Sequence, residues 1–324
     1  MKKILVTLLS CVLLSCTFIG CSSTSNNPET TVRIGSLKGP TSIGLMKLMD
    51  DSNQGKSKNS YSFEMAVTAD EILPKMISNE LDIALVPANV AAVLYNKTKG
   101  QTVVLDINTL GVLYAVSADS SITSMEDLKG KTVYVTNKGT TPDFVFQYLL
   151  SANGLSSADV NVEYKSEATE VAALLAKDDM AVGILPQPFV TVCCLQNDKL
   201  SPVLNLTGEW DNAPKESESR LVTGVTVVRK EFLENNKEAV DTFMEEHKAS
   251  CEFVSTDVEK TASYMVASGM IEKKPIAKAA IPFCNVEYID KEAMKAALEG
   301  YLKVLFDLDP SSVGGTMPSE DFYY

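Results

Sequence analysis

Apolar and polar positions along this chain recur in one unit: a short apolar run of strand character, a polar loop carrying Gly, Pro, Ser or Thr, and a run with helical spacing. The first unit runs from Val32 to Met49. A short buried strand leads into the loop Lys38-Gly39-Pro40-Thr41-Ser42, and Ile43, Leu45, Met46, Leu48 and Met49 then fall mostly on one face of a helix. Leu81 to Val86, Pro87-Ala88-Asn89 and the helix Val90 to Tyr95 repeat the unit. Lys131 to Val135, the loop Thr136 to Asp143 and the helix Phe144 to Ser151 repeat it again, with Thr140 or Thr141 before Pro142 and Asp143 as a helix-start signal. Met180 to Leu185 ends at Pro186-Gln187-Pro188 before the helix Phe189 to Leu195, and a glutamine between two prolines suggests a stiff, aimed side chain. In an open parallel sheet, loops of this kind lie beyond the carboxyl ends of the strands, where ligands sit. The free N–H groups and dipole at a helix start suit a carboxylate, a sulfonate or a polarised carbonyl oxygen.

Between these units the pattern predicts an extended segment over Ser60 to Val67, a capped helix over Thr68 to Met76, strands over Thr102 to Thr109 and Val160 to Tyr164, and a helix over Thr169 to Ala176. Extended apolar runs at Gly111 to Ser117 and Leu221 to Val228 separate two blocks of alternating strand and helix. After the second run the chain turns helical and charged: Phe232 to Ser255, Asp257 to Ser268, Ile276 to Ala280 and Lys291 to Phe306. The pattern describes two α/β lobes, residues 31–113 with 225–324 and residues 114–224, with the chain crossing between them twice. A two-strand hinge of this kind permits closure around a ligand.

At 324 residues, with 45% apolar content, the chain can bury two cores. Lys2 and Lys3 ahead of the apolar run Ile4 to Ile19 read as an export signal over residues 1–20, too short for a confident span. Phe18-Ile19-Gly20-Cys21 and the polar tract from Ser22 to Pro28 resemble a bacterial lipoprotein start, with Cys21 as the lipid-bearing residue and residues 21–30 as a flexible linker. Leu13-Leu14-Ser15-Cys16 is the rival site, and a plain secretory peptide the simpler alternative. Loss of Lys2 and Lys3 takes the formal charge from −13 to −15, a poor match for nucleic acid or an anionic membrane surface. Membrane contact is then expected through the lipid on Cys21. Of seven cysteines, Cys193, Cys194, Cys251 and Cys284 would remain; their spacing matches no zinc pattern, and buried free thiols are the expectation, with a Cys251–Cys284 disulfide conceivable in an exported protein.

The lipoprotein start, Gly39-Pro40-Thr41, the phrase Ser124-Met125-Glu126-Asp127-Leu128-Lys129-Gly130-Lys131-Thr132-Val133, and Gly139-Thr140-Thr141-Pro142-Asp143 resemble solute-binding lipoproteins of ABC importers. The group in question is related to binders of sulfonate, nitrate, taurine and the thiamine pyrimidine precursor. The resemblance implies a type II periplasmic-binding-protein fold, a ligand in the cleft between two lobes, and delivery to a membrane permease driven by a separate ATPase, with no cofactor. The family's binding loops carry over to Leu37, Lys38, Pro40, Thr41 and Ser42, to Pro87, Ala88 and Asn89, to Gly139, Thr140, Thr141 and Asp143, and to Gln187. Thr109 and Thr223, beside the crossings, are secondary candidates.

Catalysis finds little support in the sequence. The single histidine, His247, sits in Glu245-Glu246-His247-Lys248, which reads as a solvated face, and no Cys-His pair is visible in any nearby loop. Metal capture is not expected either, since clustered His and carboxylates are missing from the cleft loops. Tyr61, Tyr114, Phe144, Phe189 and Trp210 could stack on a planar ligand or serve the core. The loops are dominated by Thr, Ser, Asn and Gln, neutral groups suited to a small organic anion or a planar heterocycle. The expected protein is a monomeric transport binding protein. An enzyme on the same fold, acting on pyrimidine or menaquinone precursors, and a lipid-tethered sensor are the alternatives.

Overall fold

The computed structural model describes residues 30–136, 138–214 and 219–324; the expected leader and Cys21 lie outside the described residues. Strands β1 (Thr31–Leu37), β2 (Ser60–Ala66), β3 (Ile83–Pro87), β4 (Thr102–Leu110), β5 (Leu113–Ser117), β6 (Thr132–Thr136), β7 (Asn161–Lys165), β8 (Val182–Pro186), β9 (Ser201–Asn205), β10 (Val222–Arg229) and β11 (Val286–Asp290) form two sheets. The larger has the order β11-β4-β10-β3-β1-β2 and the smaller β7-β6-β8-β5-β9.

The two sheets share one plan. In the larger, β1 lies parallel to β2 and β3; in the smaller, β6 lies parallel to β7 and β8. Each sheet then receives an antiparallel strand at a chain crossing, β10 between β3 and β4 and β5 between β8 and β9, and the larger sheet adds β11, antiparallel to β4, at its edge. Strands covered on both faces are mostly apolar, as β3 shows with Ile-Ala-Leu-Val-Pro; β4 is buried at all nine positions and its polar side chains are paired inside, Thr226 Oγ1 donating to Asp106 Oδ1 at 2.9 Å. Gly111, at the crossing from β4 to β5, lies against the helix Leu206–Asn212: a Cβ there would come within 2.3 Å of Thr207 Oγ1.

Asp82, 1% exposed, fixes the larger sheet at the end away from the loops. Its carboxylate takes Arg33 Nη2 at 2.6 Å and Arg229 Nη2 at 2.8 Å, tying together the start of β1, the approach to β3 and the end of β10. Desolvation acts to raise the Asp82 pKa, but the two guanidiniums outweigh it and hold the carboxyl below its usual range. Trp210 is a core residue, fully buried, with ring centroids 4.7 Å from Tyr148 and 5.4 Å from Tyr301. It packs the helix Thr141–Ala152 against the helix Lys291–Leu308 rather than stacking on a ligand.

The first unit differs in detail from the expected single helix. A 3-10 turn, Pro40–Leu45, precedes the α-helix Met46–Asn53. Gly44 in that turn lies so close to Cys251 that a Cβ would come within 2.6 Å of Sγ, so the turn is pressed onto the helix Lys237–Thr256. The helix expected from Phe144 begins earlier, at Thr141, because Pro142 is tolerated in a first turn. The pattern missed β11, a half-buried edge strand lodged between helices.

Candidate functional site

The parallel strands of both sheets run their carboxyl ends toward one cavity of about 350 Å³. From the larger sheet come Leu37 at the end of β1, Val67 just beyond β2 and Pro87 at the end of β3; from the smaller come Thr136 on β6, Ser166 just beyond β7 and Pro186 on β8. This is where an open α/β sheet places a ligand, and here two such sheets face each other. The helices Thr141–Ala152, Ala168–Leu175 and Phe189–Gln196 all begin at this cavity, so their unbonded N–H ends add positive potential to it.

Threonine hydroxyls supply the side-chain chemistry. Thr41, Thr136 and Thr223 line the cavity at 5%, 1% and 7% exposure, and none of their oxygens has a hydrogen-bond partner. A buried hydroxyl without a partner costs about 1–3 kcal/mol, so three on one cavity are expensive unless something else bonds them. Each is placed by a different device. Thr41 rides the 3-10 turn, which reaches β10 only because residue 224 is glycine: a Cβ there would lie 2.4 Å from Thr41 Cγ2. Thr223 occupies a β-bulge, the extra residue between the Val222–Leu110 and Gly224–Thr109 pairs, and bulges re-aim side chains. Thr136 ends β6. Thr141, 1% exposed, also lines the cavity and faces the buried Tyr301 phenol; desolvation raises that phenol's pKa and the Thr141 contact opposes the rise.

Of the residues singled out from the sequence, Leu37, Lys38, Pro40, Thr41, Pro87, Thr140, Thr141 and Thr223 line this cavity. The others brace the loops behind it. Ser42 donates its hydroxyl to Leu37 O. Ala88 is fully buried in the helix that follows β3. Asn89 Nδ2 bonds Gly139 O and Ser312 O, each at 3.2 Å. Thr109 Oγ1 donates to Asn108 Oδ1 at 2.9 Å. Asp143 is 2% exposed and accepts from Gly139 N, Gln147 Nε2 and Tyr164 OH; burial first, then this carboxylate, pushes the Tyr164 phenol up to about 12. Gln187 is aimed, as two flanking prolines suggest, but inward: its Oε1 accepts from Thr191 Oγ1 at 2.9 Å.

One expectation fails outright, and the disulfide that the sequence left open is settled in favour of the expected free thiols. His247 is fully buried, not solvated: its Nδ1 lies 3.3 Å from Asp106 Oδ2, and its Nε2 lies 3.5 Å from Cys251 Sγ. A Cys-His pair therefore does exist, one helical turn apart, but it lies in the core behind the 3-10 turn and lines no part of the cavity. Burial would lower the imidazole pKa; Cys251 and the Asp106 carboxylate outweigh it and hold His247 well above its ordinary value. The conceivable Cys251–Cys284 disulfide is also absent, since both are free buried thiols, and burial pushes Cys284 up to about 12.

Phe189, one of the aromatics weighed for stacking, lines the cavity; sequence reasoning missed Thr136 as a site residue, the 166–169 loop, and the wall formed by Gly269, Met270 and Glu272. The 166–169 loop follows the same strand, loop and helix order as the others and was findable. The 269–272 segment joins two helices and carries no such mark. Lys38 is the one cation among the described lining residues and Glu167 and Glu272 are the acids; all three are exposed. Among the described residues no cluster of three His, Cys, Asp or Glu could hold a metal, and no helix is long and apolar enough to cross a membrane.

Residues 56–245, more than half of the chain, match the family described as "ABC transporter, phosphonate, periplasmic substrate-binding protein". A protein of Brucella abortus (strain 2308) named as a binding protein is 27% identical over 147 residues, 45% of this chain and 43% of that one, so the match spans less than half of the relative's length. An ABC transporter structure from Parabacteroides distasonis superposes with a TM-score of 0.74 at 22% identity, covering 91% of this chain and 99% of that chain. The periplasmic aliphatic sulphonate binding protein SsuA from Escherichia coli gives 0.72 at 14% identity, covering 92% of each. SsuA from Xanthomonas axonopodis pv. citri, bound to MOPS, gives 0.68 at 14%, covering 89% of this chain and 94% of that one. At these identities the likeness carries the fold, which is the two-sheet periplasmic-binding-protein fold expected from the sequence. The chain belongs to the phosphonate ABC transporter periplasmic substrate-binding protein family.

Proposed function

We propose that this protein is the extracytoplasmic solute-binding component of an ABC importer, tethered by lipid on Cys21, working as a monomer and handing its solute unchanged to a permease with its own ATPase. The halves built on the two sheets, residues 31–113 with 225–324 and residues 114–224, close on the solute like jaws. The observation that carries this reading is the set of buried threonine hydroxyls without partners at Thr41, Thr136 and Thr223, gathered on one cavity at the ends of two opposed sheets. These neutral donors and acceptors, with helix N-termini around them, are a grip without a nucleophile. The family's name speaks of phosphonate and the Escherichia coli neighbour's of aliphatic sulphonate. Here Lys38 is the one cation among the described lining residues, opposed by Glu167 and Glu272, which favours a singly charged organic anion or a planar heterocycle over a phosphate-like dianion.

Mass spectrometry of the soluble form beginning after Cys21 tests the proposal. One small molecule should be released on denaturation and, added back, should raise the melting temperature by mass action. A protein that carries nothing, and that organic sulfonates, phosphonates and pyrimidines all fail to stabilise, would end it.

A further inference from the structure

Beside the cleft lies a second cavity of about 390 Å³. One wall is a face of the helix Ala168–Leu175 and its cap, where Ala168, Ala172, Ala173 and Ala176 recur at helical spacing. The second wall is the helix Phe189–Gln196, through Val192 and Cys193, and the third is the segment carrying Ile271 and Ile276. Alanines leave the space open, and polar groups such as Gln196 and Asn197 join the lining only at intervals.

This space adjoins the threonine cleft. Ala168, Thr169, Phe189, Met270 and Glu272 line both, and Phe189, half-buried, stands where they meet. The two adjoining spaces thus differ in chemistry: unpartnered hydroxyls in the first, mostly aliphatic side chains in the second. We infer that the annexe holds the apolar part of the same solute whose polar head lies among the threonines, so that the protein selects amphipathic molecules with a compact polar head and an alkyl or aryl tail. The inference rests on the reading of the cleft as the solute site. Three features favour a tail over a second polar group. The alanine face offers no hydrogen bond, and Met270 at the junction has an unbranched, adaptable side chain. The carboxylate of Glu272 at the shared rim disfavours a second negative group there.

Calorimetry on the mature chain with two probe series tests it: alkanesulfonates and 5-alkylpyrimidines, each as the methyl, butyl and octyl member. In the series that binds, affinity should rise at least tenfold from methyl to octyl. Ala173→Leu and Ala176→Leu, both at exposed positions that can take a larger side chain, should each remove most of that rise. The methyl member, too short to leave the cleft, should bind as before. Thr41→Ala should weaken every member alike. A flat series in the unaltered protein, or a rise that survives both leucines, overturns the inference. If the series is flat while Thr41→Ala still weakens the methyl probe, the cleft reading stands and the annexe alone falls. If the leucines abolish the rise but Thr41→Ala changes nothing, the cleft reading falls.

Discussion

Threonine at positions 41, 136 and 223 is a poor choice for stability alone, because each buries an oxygen that bonds nothing in the protein. Valine has the same shape without the oxygen. Thr41→Val should therefore leave the melting temperature of the solute-free protein unchanged or raise it, while weakening solute binding by about 1–3 kcal/mol as one ligand atom loses its partner. Calorimetry and a thermal melt on the same sample separate the two effects; a variant that loses stability but not affinity would make Thr41 an ordinary core residue. His247 shows the opposite case, a polar group fully paired and hidden from sequence reasoning. Its neighbours Glu245 and Lys248 are exposed, but Val240, Phe243, His247, Cys251 and Val254 form a buried stripe at helical spacing, and that spacing was the available signal. The partner Asp106 lies 141 residues away, which no local pattern reveals. Because the folded pKa of His247 lies above its unfolded value near 6.5, its contribution to stability is complete below about pH 6.5 and is lost as pH rises through the raised folded value. The carboxylate of Asp106, the thiol of Cys251 and the phenol of Tyr288 face it. His247→Gln should flatten the fall in stability above pH 6.5, which for one proton reaches at most about 1.4 kcal/mol per pH unit. Urea unfolding of both proteins across that range reads the difference, and parallel profiles would mean the imidazole is neutral when folded.

The elements that line the cavity were mostly legible because strand, polar loop and helix have distinct periods, and three junctions stand out in the sequence: Gly39-Pro40-Thr41 after β1, Pro87-Ala88-Asn89 at the end of β3, and Gly139-Thr140-Thr141-Pro142 after β6. What the period does not show is where a loop's side chains turn. Asp143 and Asn89 sit in these loops as plausibly as Thr141 does, yet the Asp143 carboxylate and the Asn89 Nδ2 are spent on bonds to neighbouring backbone and side chains. The bulge at Thr223 and the wall at 269–272 come from tertiary packing and leave no periodic mark. The contact between the 3-10 turn and β10 makes the element-scale dependence testable. At Gly224 an added Cβ would lie 2.4 Å from Thr41 Cγ2 and 2.6 Å from Asn108 Oδ1, closer than real Cβ atoms come, so the turn must move. Gly224→Ala should cost about 1–3 kcal/mol of stability through overpacking. It should also weaken solute binding, since Thr41 moves with the turn. Unchanged affinity with reduced stability would show that β10 gave way instead.

At the scale of the whole molecule, the proposed closure on a solute makes binding depend on how the two sheets are held relative to each other. Asn89 follows β3 of the larger sheet, yet its Nδ2 reaches Gly139 O in the loop after β6 of the smaller, and it also bonds Ser312 O. Trp210, packed between Tyr148 and Tyr301, joins the helix Thr141–Ala152 that follows this loop to the helix Lys291–Leu308. A bond that exists only when the two loops are near each other favours the closed arrangement by its own net worth, about 0.5–1.5 kcal/mol. If the free protein opens, apparent affinity scales with the fraction already closed. Asn89→Ala touches no lining residue of the cavity, but it should lower solute affinity by about 2- to 10-fold through that fraction alone. The loss should appear mainly in faster dissociation, because a closed cleft must open to release its guest. Small-angle scattering should then report a larger radius of gyration for the solute-free variant than for the unaltered protein, and equal radii once solute saturates both. Reduced affinity with identical radii in the free state would place Asn89's effect in local loop order, and the jaw-like closure would lose its support.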